Sequence, residues 1–99
     1  PPEAETVDDI KATVEPIIGG YGHKNLYYDI VRTGRRLWIS VYITFDKDII
    51  SLSKFQILQT KCIAALAEKY QDFYFELLPD IQLDSMDEEK IKAQTEENT

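Results

Sequence analysis

Between Leu37 and Phe45 the chain alternates without a break. Leu37, Ile39, Val41, Ile43 and Phe45 are apolar, and Trp38, Ser40, Tyr42 and Thr44 stand between them. Side chains on a strand point to opposite faces in turn, so a period of two over nine residues predicts a β-strand with one wholly apolar side. That side needs a cover, which a single strand cannot supply. The other side is mixed, and Trp38 with Tyr42 make it more apolar than a face turned to water requires.

The flanking segments say what the cover is. Upstream, Leu26-Tyr27-Tyr28-Asp29-Ile30-Val31-Arg32-Thr33 is rich in aromatic and β-branched residues, and Gly34-Arg35 suits a two-residue turn with glycine first, so a β-hairpin is predicted. Before it, Val7, Ile10, Val14, Ile17 and Ile18 recur at helical spacing, with cap candidates in Thr6-Val7-Asp8-Asp9. Pro16 predicts a bend or an end near Glu15, and Gly19, Gly20 and Gly22 make a firm stop. After the polar break Asp46-Lys47-Asp48, Ser51 or Ser53 caps a second helix, the latter with Gln56 as a capping box. Its predicted stripe is Leu52, Phe55, Gln59, Cys62, Ile63, Leu66 and Tyr70, broken only by Gln59, and the helix runs to about Lys69. Phe73 to Leu78 reads as a last strand stopped by Pro79.

The order is helix, strand, strand, helix, strand. Strands joined by a tight turn pair antiparallel, and strands joined through a helix pair parallel. The expected fold is therefore α+β in two layers: a mixed three-stranded sheet with both helices on its aliphatic face. Its other face, carrying Trp38, Ser40, Tyr42, Tyr74 and Glu76, is left without a helix and calls for a partner.

The net charge of −7 belongs to the flanks. Residues 1–15 carry −4, residues 80–99 carry −5 and the segment between carries +2. This balance excludes nucleic acid as a partner, because phosphate binding needs a concentrated positive field, and Arg32, Arg35 and Arg36 around one turn do not supply it. One cysteine rules out an internal disulfide and fits a reducing compartment. No apolar run approaches the roughly 18 residues that a membrane span needs. The chain opens on Pro1-Pro2 and reads as a piece of something longer. The expected division is a flank over 1–6, one folded domain over 7–80 and an acidic tail over 81–99, frayed or disordered.

Catalytic signatures are missing. There is no G-x-S-x-G, P-loop, H-E-x-x-H or C-x-x-C, and the lone His23 and lone Cys62 stand far apart in sequence. Cys62 falls within a helical stripe and reads as a small core residue. An enzyme is not expected.

Several stretches together carry a resemblance: Gly19-Gly20 through Leu26, Gly34-Arg35-Arg36-Leu37-Trp38-Ile39-Ser40-Val41, Ser51-Leu52-Ser53-Lys54-Phe55-Gln56, and Phe73 to Pro79. Over residues 7–80 the chain resembles the cytoplasmic C-terminal domain of cation diffusion facilitator transporters, which export divalent metals. The resemblance implies a ferredoxin-like, metallochaperone-like α-β-β-α-β fold. It further implies a homodimer on the cytoplasmic side of a membrane, attached to a transmembrane domain of the same chain that lies outside this sequence.

Many members of that family bind zinc or related ions. They use a His or Asp on the outward side of the second strand, a His near the start of the second helix and a His on the last strand. The matching positions here are Ser40 or Tyr42, Gln56 and Glu76, and His23 lies near a further family histidine. The implied metal set is thus His23, Gln56 and Glu76, and the dimer face is Trp38, Ser40, Tyr42 and Tyr74. Zinc prefers imidazole and thiolate, so these mostly oxygen donors suit a harder ion such as Mn²⁺ better. Two readings stay open: an altered site for Zn, Mn or Fe around Glu76, or a dimerisation domain that takes no metal. From another class, the alternative is a ferredoxin-like module for a protein or small ligand, attached to no transporter.

Overall fold

In the computed structural model, residues 2–47, 49–80 and 92–96 are described. The elements are α1 (Ala4–Gly19), β1 (His23–Thr33), β2 (Arg36–Phe45), α2 (Leu52–Ala67) and β3 (Phe73–Pro79). Their order is the predicted one. Most of the acidic tail lies outside the described residues, and 92–96 form a short helical run.

Helix α1 departs from expectation at both ends. It begins at Ala4, inside the segment read as a flank, with Glu3 in the N-cap position. The Thr6 hydroxyl donates to the Glu3 carboxylate at 3.1 Å. Pro16 does not end it, and the helix continues to Gly19. The reason is packing. Ile10, Val14 and Ile18 are fully buried, one per turn, and burying a side chain of this size contributes about 1.5–3 kcal/mol. Ile18, in the turn after Pro16, holds that turn on the sheet despite the missing amide donor.

The hairpin is set by Gly34, whose φ of 60° is open to glycine at no steric cost. No other turn residue has positive φ, the pattern of a type II′ turn. The turn aligns β1 with β2 so that Ile30 faces Ile39 and Asp29 faces Ser40. Strand β3 lies parallel on the other side of β2, with Phe75 beside Ile39 and Glu76 beside Ser40. The strand order is β1-β2-β3, so β1 and β3 are both edges.

Helix α2 is capped by Ser51, whose hydroxyl accepts from the Lys54 amide at 3.1 Å. Its buried residues are Leu58, Cys62 and Leu66, which shifts the predicted stripe: Leu52 is 88% exposed and Leu58, outside that stripe, is in the core. The polar Gln59 has a task there. Its side-chain oxygen accepts from the Leu77 amide at 3.2 Å, supplying a partner that a sheet edge lacks. The helices are tied at their far ends, where Asp9 accepts from the Tyr70 hydroxyl at 2.6 Å and from Lys69 at 2.9 Å. Those two hydrogen bonds hold the Asp9 carboxyl below its ordinary range.

The core is one cluster. Leu37, Ile39, Val41, Ile43, Phe75 and Leu77 from the sheet meet Ile10, Val14, Ile18, Leu58, Cys62 and Leu66 from the helices. Burial pushes the Cys62 thiol up to about 11, so it is a core residue and no nucleophile.

Candidate functional site

The helix layer covers one side of the sheet only. The register brings the other side into three rows that run across all three strands. Val31, Trp38 and Tyr74 form the row nearest the hairpin turn, Asp29, Ser40 and Glu76 the next, and Tyr27, Tyr42 and Leu78 the third. An acidic row thus lies between two aromatic ones.

The aromatic rows are paired internally. Trp38 and Tyr74 have ring centroids 5.7 Å apart, tilted by 45°, and Tyr27 and Tyr42 have centroids 5.9 Å apart, tilted by 52°. Such tilted pairs are favourable beyond the area they bury. They nevertheless leave Tyr27 63%, Tyr74 47%, Val31 47% and Trp38 41% exposed. Val31, Trp38 and Tyr74 are neighbours in one row and make a patch rather than scattered singles, and Tyr27 stands beyond the acidic row.

The charged groups are used unequally. Arg36 lies over the Trp38 ring, 5.3 Å from its centroid, and its Nε donates to Asp72 at 2.9 Å. In the acidic row, the Tyr74 hydroxyl donates to Glu76 Oε2 at 3.2 Å. Among the described residues neither Glu76 nor Asp29 has a basic partner.

The metal set inferred from the resemblance is spread over the molecule. Glu76 is on the open face beside Ser40. Gln56 is exposed on α2, in the layer on the opposite side of the sheet. His23 opens β1 opposite Phe45, which packs toward the core. The His23 Nδ1 is buried and has no hydrogen-bond partner among the described residues. One chain therefore does not bring the three together, and the described residues hold no cluster of three His, Cys, Asp or Glu. By contrast Trp38, Ser40, Tyr42 and Tyr74 do share one face, as expected.

Asp29 is the charged member of this face that sequence reading missed, along with Tyr27, Val31 and Leu78. Its signal was present: a two-residue turn at Gly34-Arg35 pairs Thr33 with Arg36, and counting back places Asp29 opposite Ser40. The far end of the row, Glu76, depends on the parallel register of β3, which no turn fixes.

No family model matches the sequence, and no curated protein matches it. Solved structures do. A structure of CzrB, described as a candidate zinc transporter, aligns with a TM-score of 0.67 at 17% identity, over 84% of this chain and 100% of its own. Two variants of the MamM C-terminal domain align with TM-scores of 0.59 and 0.57 at 12% and 14% identity. They cover 82% and 81% of this chain and the whole of theirs. At such identities the likeness is one of fold. The chain folds as the ferredoxin-like C-terminal domain found in cation diffusion facilitators such as CzrB and MamM.

Proposed function

We propose that this chain is the cytosolic regulatory and dimerisation domain of a divalent-cation efflux transporter, joined to a membrane-spanning region outside this sequence. Two copies meet through the open sheet face, and their association biases the conformations of the transporter. The observation that carries this reading is the uncovered face: rows of paired aromatic residues left in water by a fold that transporter domains share. Catalysis has no place in it.

Metal enters this reading between protomers rather than within one. His23, Gln56 and Glu76 lie apart in a single chain, so a Zn, Mn or Fe ion held by Glu76 takes its other donors from the second copy. Carboxylate, hydroxyl and amide oxygens make a weak site for zinc.

Sedimentation of the domain with and without Zn²⁺, Mn²⁺ and Fe²⁺, alongside calorimetric titration, tests the proposal. A dimer without metal is expected, with weak tightening by metal at most. A chain that stays monomeric at every concentration, with and without metal, breaks the dimer reading. Metal affinity that survives Glu76→Ala and His23→Ala unchanged moves the metal away from these residues.

A further inference from the structure

The two edges of the sheet are treated differently. On β3 the outward amide of Leu77 is taken by the Gln59 side chain. On β1 the two-residue turn closes on the Thr33–Arg36 pair. Val31, Asp29 and Tyr27 therefore exchange hydrogen bonds with β2, while Ile30, Tyr28 and Leu26 turn their N–H and C=O away from it. The far side of β2 agrees with that alternation: the Leu37 amide donates to the Asp72 carbonyl at 3.1 Å, and the Ile43 carbonyl accepts from the Asp80 amide at 2.8 Å. Both ends of the β1 edge are occupied. Asn25 Oδ1 accepts from the Leu26 amide at 3.0 Å, and Arg32 lies 3.8 Å from Glu3. Between them the outward backbone groups of Tyr28 and Ile30 have no partner among the described residues.

That open stretch lines a groove of about 480 Å³, with Pro2, Val7 and Lys11 opposite it. Five consecutive residues, Leu26 to Ile30, form the strand wall. Neighbours on a strand point to opposite faces, so what these five share is the backbone edge. Lys11 stands over the Tyr28 ring, 5.4 Å from its centroid, and has no ion pair among the described residues. Glu15, one turn further along α1, is exposed and makes none with it. A strand edge with unmet donors and acceptors is a template for another strand unless something blocks it. No proline or bulge does so between Leu26 and Ile30.

We propose that the outer edge of β1 is a strand-addition site for an extended segment of a partner protein, one that turns a carboxylate toward α1 between apolar neighbours. Main-chain hydrogen bonds to Tyr28 and Ile30 hold the segment, and alternate side chains give it specificity. Those on the helix side meet Val7, Tyr28 and Ile30 as apolar surface and Lys11 as the one positive charge lining the groove. An acidic residue with an apolar one two places to either side matches that order. The edge lies at the side of the sheet, so the inference goes beyond the reading above and needs neither its dimer nor its metal.

The test is titration with a labelled, end-capped peptide of alternating threonine and valine that carries a central glutamate in the valine register. Binding is read by fluorescence anisotropy and by amide hydrogen exchange of the protein. We expect saturable binding that slows exchange at Tyr28 and Ile30 and leaves Tyr27 and Asp29, already bonded to β2, unchanged. Methylating the peptide's backbone nitrogens should abolish binding, and a central lysine in place of the glutamate should weaken it about fivefold. Lys11→Glu, with the fold checked by circular dichroism, should reverse that preference. No saturable binding, or binding that the methylated peptide retains, overturns strand addition. A Lys11→Glu protein that still prefers the glutamate peptide overturns the acidic partner. If Tyr28 and Ile30 are protected without peptide, and more so as protein concentration rises, the edge pairs copies of this chain and the partner is overturned. Sedimentation reports separately on the open face, so a failed dimer there and a failed edge here are told apart.

Discussion

The two faces of one three-stranded sheet have opposite fates. On the helix side, Ile39, Val41 and Ile43 are fully buried, and the buried residues they cluster with are aliphatic, aromatic or Cys62. On the other side, a few ångströms away, Trp38 and Tyr74 remain more than two-fifths exposed and lie beside carboxylates that have no basic partner among the described residues. Both faces are built from the same strands with the same twist, so backbone geometry does not separate them. Side-chain chemistry does. The covered face is shaped for non-directional burial, and the open one combines aromatic surface with charge, the composition of an interface.

If the covered face holds the fold, its truncation costs most. Ile39→Ala, at the centre of the sheet and fully buried, should lower unfolding free energy by about 2–5 kcal/mol in denaturant titration. A loss near zero would mean that the helix layer is not packed as described. Gln59→Leu should cost less, about 1–2 kcal/mol, because it leaves the Leu77 amide at the β3 edge without its acceptor. A stabilised variant would show that water serves that amide equally well.

The Asp9 clamp sets the next effect, a pH slope. Tyr70 and Lys69 depress the Asp9 carboxyl, so the folded pKa lies below the unfolded one. Its contribution is present above the ordinary carboxylate pKa and is lost as pH falls through the depressed value. Tyr70→Phe should therefore lower stability at neutral pH and leave it nearly unchanged below the carboxylate range, so that the acid limb flattens. An unchanged acid limb would remove Asp9 from the account.

The smallest effect on stability belongs to the open face. Trp38→Ser should change monomer stability by no more than about 0.5–1 kcal/mol, yet weaken self-association strongly. A fold that collapses on losing Trp38 would break the contrast between the faces, and one whose association ignores the change would break the functional reading.

Much of this was legible from residue order. The alternation from Leu37 to Phe45 predicts β2 and its aliphatic face, and the Gly34-Arg35 turn aligns β1 with it, so the dimer-face candidates Trp38, Ser40, Tyr42 and Tyr74 could be grouped before any coordinates. Where local rules failed, a tertiary contact had prevailed over them. Pro16 should end α1, but Ile18 buried on the sheet carries the helix past it. Gln59 looks like a flaw in an apolar stripe until the edge of β3 supplies its purpose.

The sequence by itself determined the order of elements, the hairpin register and which side of β2 is apolar, because periodicity and turn chemistry act between near neighbours. Only the tertiary structure decided how β3 aligns with β2, since a strand returning through a helix has no turn to fix its register. That alignment creates the row Asp29–Ser40–Glu76. The layering decided the rest: it sets Gln56 on the far side of the sheet from Glu76, points His23 toward the helix layer, and so divides a metal set that the sequence had grouped.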